Sequence, residues 1–142
     1  MKNDPIIKQS VINASPSKVW SALTEPEKVK QWFMDPKGFK PEVGNEFTMY
    51  ATNKGKGYLH LCKVTEVIPE KKLSYTWKYK DTTGESLVTF ELLPEGNKTK
   101  IKLTHEGIET FPQDNDDYAK KNFEAGWTQL IEKSIKEFIE KA

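Results

Sequence analysis

The sequence predicts an α+β fold: a curved antiparallel sheet of about six or seven strands wrapped around a long C-terminal helix, with two short helices after strand 1. Three observations predict it. Apolar residues recur at intervals of three and four through residues 117–142, which marks a helix with one buried stripe. Residues 44–106 carry the Gly, Pro and Asn punctuation of consecutive hairpins. Between residues 15 and 33, two proline-marked helix starts interrupt the strands.

Taken in order, Ile6–Asn13 is the first strand; either parity could face the core. Ser15-Pro16 places an N-cap before a proline at the first helical position, and Val19, Trp20 and Leu23 give that helix an apolar stripe. Glu25-Pro26 repeats the signal, and Val29, Trp32 and Phe33 form the stripe of a second helix that ends before Asp35-Pro36. Strands follow at Glu46–Thr52, Gly57–Ile68, Leu73–Lys80, Ser86–Leu93 and Thr99–Glu106, with Asn53-Lys54-Gly55 as the first turn. Leu73, Tyr75, Trp77 and Tyr79 share one face, as do Val88, Phe90 and Leu92, and Ile101, Leu103 and His105; these are the dry faces. In Gly57–Ile68, Tyr58, His60, Cys62 and Val64 compete with Leu59 and Leu61 for the inside, and a bulge near Thr65-Glu66 fits the pattern. In the last helix, Phe123, Trp127, Leu130, Ile131, Ser134, Ile135 and Phe138 form the stripe. Asp114, Asp116 and Asp117 are expected at its positive N-terminal end.

With 142 residues the chain is expected to form one domain, residues 1–142. Lys and Arg number 22 and Asp and Glu 21, for a net charge of +1 with no long block of either sign, which argues against a nucleic-acid footprint. No apolar run reaches the roughly 18 residues of a membrane span, and Met1–Lys8 lacks the apolar middle of a secretion signal. The lone cysteine, Cys62, agrees with a reducing compartment, so a cytoplasmic location is expected. Four Trp, five Tyr and seven Phe accompany a mean hydropathy of −0.72. That combination suits a thin core of large flat side chains.

Catalytic and metal signals are weak. His60 and Cys62 point to the same strand face, yet neighbouring strand residues seldom reach nucleophile-base geometry and no third group is evident. Two such ligands are too few for zinc, and the acidic loop lacks calcium-loop spacing. No catalytic residue, metal or cofactor is expected. His105 either orients a polar group of a ligand or holds the turn at Gly107 through a backbone carbonyl.

The stretch from Lys63 to Trp77, with its Val-x-Glu-Val strand, proline turn with basic residues, and Leu73-x-Tyr75-x-Trp77, resembles the homologues of the activator of the ninety-kilodalton heat-shock chaperone's ATPase. Ser15-Pro16-x-x-Val19-Trp20, Trp32-Phe33, Val43-Gly44, Val88-Thr89-Phe90, Thr104-His105-x-Gly107 and Gly126-Trp127 match in the same order. The sequence departs from the pattern at Cys62, where similar sequences often carry glycine, and in the acidic loop Asp114–Asp117. The resemblance implies membership of the START-like, pollen-allergen-like superfamily of helix-grip folds, in which sheet and long helix enclose an apolar cavity. Its expected lining is Trp32, Phe33, Phe47, Met49, Tyr58, His60, Tyr75, Trp77, Phe90, His105, Phe111, Phe123, Trp127 and Leu130. The leading expectation is a non-enzymatic protein that binds a small hydrophobic or amphipathic molecule, such as a lipid. The second is a chaperone-interaction module acting in stress response; the resemblance covers only the activator's C-terminal half, and stimulation depends largely on the other. A cyclase-like enzyme comes third, and a monomer or weak homodimer is expected.

Overall fold

Period-two burial decides the sheet. In the computed structural model, which describes residues 4–53 and 55–141, six strands pair antiparallel: β1 (Ile6–Ile12), β2 (Glu46–Asn53), β3 (Lys56–Ile68), β4 (Lys72–Tyr79), β5 (Ser86–Glu95) and β6 (Lys98–Glu106). The spatial order is β1-β6-β5-β4-β3-β2, so the first and last strands are neighbours and β1 and β2 form the edges. Lys54 of the expected turn, Ala142 of the expected helix, and Met1 to Asn3 lie outside the described residues.

The faces left open by the sequence are settled by burial. Ile6 and Ile12 of β1 turn inward, and His60, Cys62 and Val64 carry the inner face of β3. The β3–β4 register slips between Val64 and Glu66, so the extra residue is Thr65, as the pattern suggested. The inner parities of β4, β5 and β6 are buried throughout, from Leu73 to Tyr79, Val88 to Leu92, and Ile101 to His105.

Helices α1 (Pro16–Thr24) and α2 (Pro26–Trp32) follow β1. The Ser15 hydroxyl accepts from the Lys18 amide at 3.3 Å, and proline opens both helices. The Trp32 indole then donates to the Ala22 carbonyl at 2.8 Å, fixing the two helices together.

The C-terminal helix differs from expectation in two ways. It begins at Lys120 rather than Asp117, and Ala119 at its N-cap provides no side-chain cap. Asp116–Tyr118 instead form a separate 3-10 turn closed by Asn115, whose side chain accepts from the Asp117 amide at 2.9 Å. The expected capping role of the acidic residues is therefore corrected. Second, α3 (Lys120–Gln129) and α4 (Ile135–Lys141) are joined by a π turn, Leu130–Ser134. Trp127, Ile131, Ile135 and Ile139 are all nearly inaccessible. Steps of four residues overshoot an α-turn by about 40° each, so an ordinary helix would rotate this row off the sheet; the wider turn takes up the excess. The helix thereby lies along the inner face, with six strands, one helix and two short helices in the helix-grip arrangement among the described residues.

Candidate ligand-binding site

Beneath α3, where Trp127 meets Trp77 of β4, the core is a slab of aromatic rings. Trp77 of β4 lies 5.7 Å from Trp127 of α3, 5.2 Å from His105 of β6 and 4.8 Å from His60 of β3, between ring centroids. Phe33, just past α2, lies 5.1 Å from Trp32 and 5.6 Å from Trp127. Phe33 ends the helix with a non-helical backbone, φ −135° and ψ −146°, and is only partly buried, as are Phe123 and Leu130. The slab therefore has an open side. A depression of about 340 Å³ runs along it, lined by Trp32, Phe33, Met34, Ala51, His60, Trp77, Asn122, Phe123, Gly126, Trp127 and Leu130. A second of about 200 Å³ shares Ala51, His60, Asn122 and Phe123 with it and continues to Tyr58, Tyr79, Asp117 and Tyr118. Together they form one groove, apolar at the α2 end and polar at the Asp117 end.

Of the residues expected to line a cavity, Trp32, Phe33, Tyr58, His60, Trp77, Phe123, Trp127 and Leu130 border this groove. Phe47, Met49 and Tyr75 instead pack with Leu23, Val29 and Phe39 around a void of only about 10 Å³. Phe90 is 1 % exposed, and Phe111 stacks on Phe123 at 6.2 Å. His105 lies behind Trp127. Met34, Ala51, Tyr79, Asp117, Tyr118, Asn122 and Gly126 line the groove without having been singled out as lining; the signals were Ala51 as a small residue on the inner parity of β2, and Gly126 beside Trp127.

The two histidines have different surroundings. Trp127 Nε1–H donates to His105 Nδ1 at 3.0 Å, which leaves His105 Nε2 to carry the proton to Ser86 Oγ at 2.8 Å. Ser86 donates in turn to the Trp77 carbonyl at 2.8 Å. Burial pushes the His105 pKa down to about 3, so the ring is neutral. It holds a hydroxyl and an indole rather than the turn at Gly107. His60 Nδ1 lies 3.0 Å from the Met49 carbonyl oxygen. Burial lowers the His60 pKa, opposed by the carbonyls of Met49 and Tyr58. Cys62 is buried and its thiol is pushed up to about 12 by desolvation, so it stays protonated and is a poor nucleophile.

At the polar end the Tyr58 hydroxyl donates to the Asp117 carboxylate, and that hydrogen bond, with burial, holds the phenol pKa up at about 12. Lys56 Nζ stands 3.9 Å from the same carboxylate. Among the described residues no Lys or Arg lines either half of the groove. Among the described residues no group of His, Cys, Asp and Glu could hold a metal ion, and no helix is long and apolar enough to cross a membrane. A wider depression of about 650 Å³ lies on the outer side of the sheet, but Lys37, Glu46, Lys63, Lys78 and Glu85 line it with mixed charge. It lacks the buried ring surface of the groove.

Residues 13–140 match the family model described as Activator of Hsp90 ATPase homolog 1-like protein. Among solved structures, the chain is similar to protein MLL2253 of Mesorhizobium loti, with 29% identity, 97% of this chain and 98% of that one covered, and a TM-score of 0.81. Protein BH1534 of Bacillus halodurans is 28% identical over 95% of this chain and 96% of its own, with a TM-score of 0.74. Protein CV1439 of Chromobacterium violaceum shares the fold at a TM-score of 0.83, with 22% identity and 99% of each chain covered. No curated protein matches.

Proposed function

The chain belongs to the Activator of Hsp90 ATPase homolog 1-like family, and from that premise we propose that it is a non-enzymatic binding protein that holds a small hydrophobic or amphipathic molecule between the sheet and the C-terminal helix. The observation that carries the reading is the open side of the Trp77–Trp127 slab. Side chains of this size normally seal a core, yet here Phe33, Phe123 and Leu130 stay partly exposed around about 340 Å³ of space. A groove of that size is at the lower end of ligand-pocket volumes. Its apolar end suits a flat ring system, and its few polar groups suit orientation. The protonated Cys62 thiol offers turnover no thiolate, and both ring nitrogens of His105 are engaged by Trp127 and Ser86.

The test is to record native mass spectra of the purified protein, then denature it and search the organic extract for a released molecule. A stoichiometric adduct supports the reading. A clean apo mass that persists after incubation with fatty acids, sterols and aromatic polyketides would shift the weight to the second reading. That reading, favoured by the family's description, is an interaction module acting on a chaperone ATPase. It predicts a change in the ATPase rate of the host chaperone on addition of the protein.

A further inference from the structure

We infer that the groove selects neutral molecules that present a hydroxyl or N–H donor to His60 Nε2, and that it rejects carboxylates; this rests on the reading of the groove as a ligand site. His60 sits at the junction of the two depressions, bordering both. It is only 4 % exposed. Its Nδ1 faces the Met49 carbonyl oxygen at 3.0 Å, and a carbonyl can only accept, so Nδ1 carries the proton. Nε2 is then a bare lone pair. It has no hydrogen-bond partner among the described residues, whereas every fully buried side-chain nitrogen or oxygen there has one. Nε2 must therefore reach accessible space, and the space His60 borders is the groove. An acceptor with no protein partner, open only to the groove, favours a guest that donates to it.

The surroundings fix the charge of that guest. Among the described residues neither half of the groove is lined by Lys or Arg, and the carboxylate at the polar end, Asp117, already accepts from Tyr58 and stands 3.9 Å from Lys56 Nζ. A guest carboxylate would face a lone pair and a second carboxylate, and the cation nearest the polar end, Lys56, stands against Asp117. A phenol, alcohol or amide N–H meets none of these costs. The body of such a molecule would lie against Phe33, Trp77 and Trp127.

The experiment is calorimetric titration at pH 7 with 2-naphthol, 2-methoxynaphthalene and 2-naphthoate, which share a two-ring body and differ in donor and charge. The expected result is that 2-naphthol binds about tenfold tighter than either of the others. In His60→Phe it should fall to the affinity of 2-methoxynaphthalene, whose own binding changes less than about twofold. Binding of 2-naphthoate as tight as 2-naphthol, or equal binding of 2-naphthol and 2-methoxynaphthalene, overturns the inference while leaving the groove a ligand site. Failure of both neutral compounds to bind the wild-type protein overturns the groove reading, and the inference with it.

Discussion

Trp127 on the last helix donates its indole proton to Nδ1 of His105 on the last strand, at 3.0 Å. That bond orders every proton behind it: His105 Nε2 donates to Ser86, and Ser86 to the Trp77 carbonyl. This relay crosses from helix to the middle of the sheet and ties Trp77 and Trp127, two of the groove's three tryptophans, to one rigid element. Replacing Trp127 with Phe keeps the ring bulk but leaves His105 Nδ1 a buried acceptor with no donor. The expected loss is about 1–3 kcal/mol in urea unfolding, with the fold retained.

The same relay makes stability depend on pH. His105 is neutral in the folded protein because burial holds its pKa at about 3, whereas an unfolded histidine titrates near 6.5. Below 6.5 the unfolded chain binds the proton and the native chain does not. Stability is thus complete above pH 6.5 and falls with pH until the native ring also protonates near 3, by on the order of 1 kcal/mol per unit. His60, shifted in the same direction, adds to the slope. Urea midpoints at pH 7.5 and 5 check this. His105→Gln should flatten the difference between them.

Much of this arrangement was legible in the sequence, for identifiable reasons. The alternation of Leu73, Tyr75, Trp77 and Tyr79 fixed the inner face of β4, because a strand's side chains alternate whatever lies across from it. Strand β3 stayed ambiguous because Leu59 and Leu61 are apolar yet only partly buried, beside the buried His60 and Cys62. The Trp127–His105–Ser86 chain joins residues 22 and 19 positions apart. It depends on helix placement and cross-strand register, which no local pattern encodes. The π turn did leave a trace in the four-residue spacing of Trp127, Ile131, Ile135 and Ile139. The acidic run 114–117 suggested helix capping, but its Asp117 carboxylate instead accepts from Tyr58, 59 residues away.

Tyr58 and Asp117 should act as a clasp on the polar end of the groove, since their bond joins β3 to the turn before α3. In Tyr58→Phe, amides of residues 115–122 are expected to exchange hydrogen faster than in the wild type, while those of β4 and β5 keep their protection. Asp117→Asn should lower the Tyr58 pKa from about 12, read by ultraviolet titration of the phenol, because the carboxylate is the main cause of the shift. Equal exchange in wild type and variant would show that the clasp holds nothing.

Gly84 sits at φ 100°, and a β-carbon there would lie 2.6 Å from the Thr110 carbonyl carbon and 2.8 Å from the Phe111 ring. Gly55 has a similar φ of 83° with open space around it. The pair separates backbone strain from steric clash. Gly55→Ala is expected to cost about 1 kcal/mol and Gly84→Ala about 3 kcal/mol or more, measured by thermal or urea unfolding.

The groove itself is tested most directly by two-dimensional NMR of the indole N–H and imidazole nitrogen signals during a titration with 2-naphthol. Trp77, Trp127 and the Nε2 of His60 should shift together and saturate at one equivalent, while amides of Thr48, Lys63 and Lys78 on the outer face of the sheet stay in place. Shifts confined to those outer-face residues, with the indoles and His60 unmoved, would contradict the groove reading.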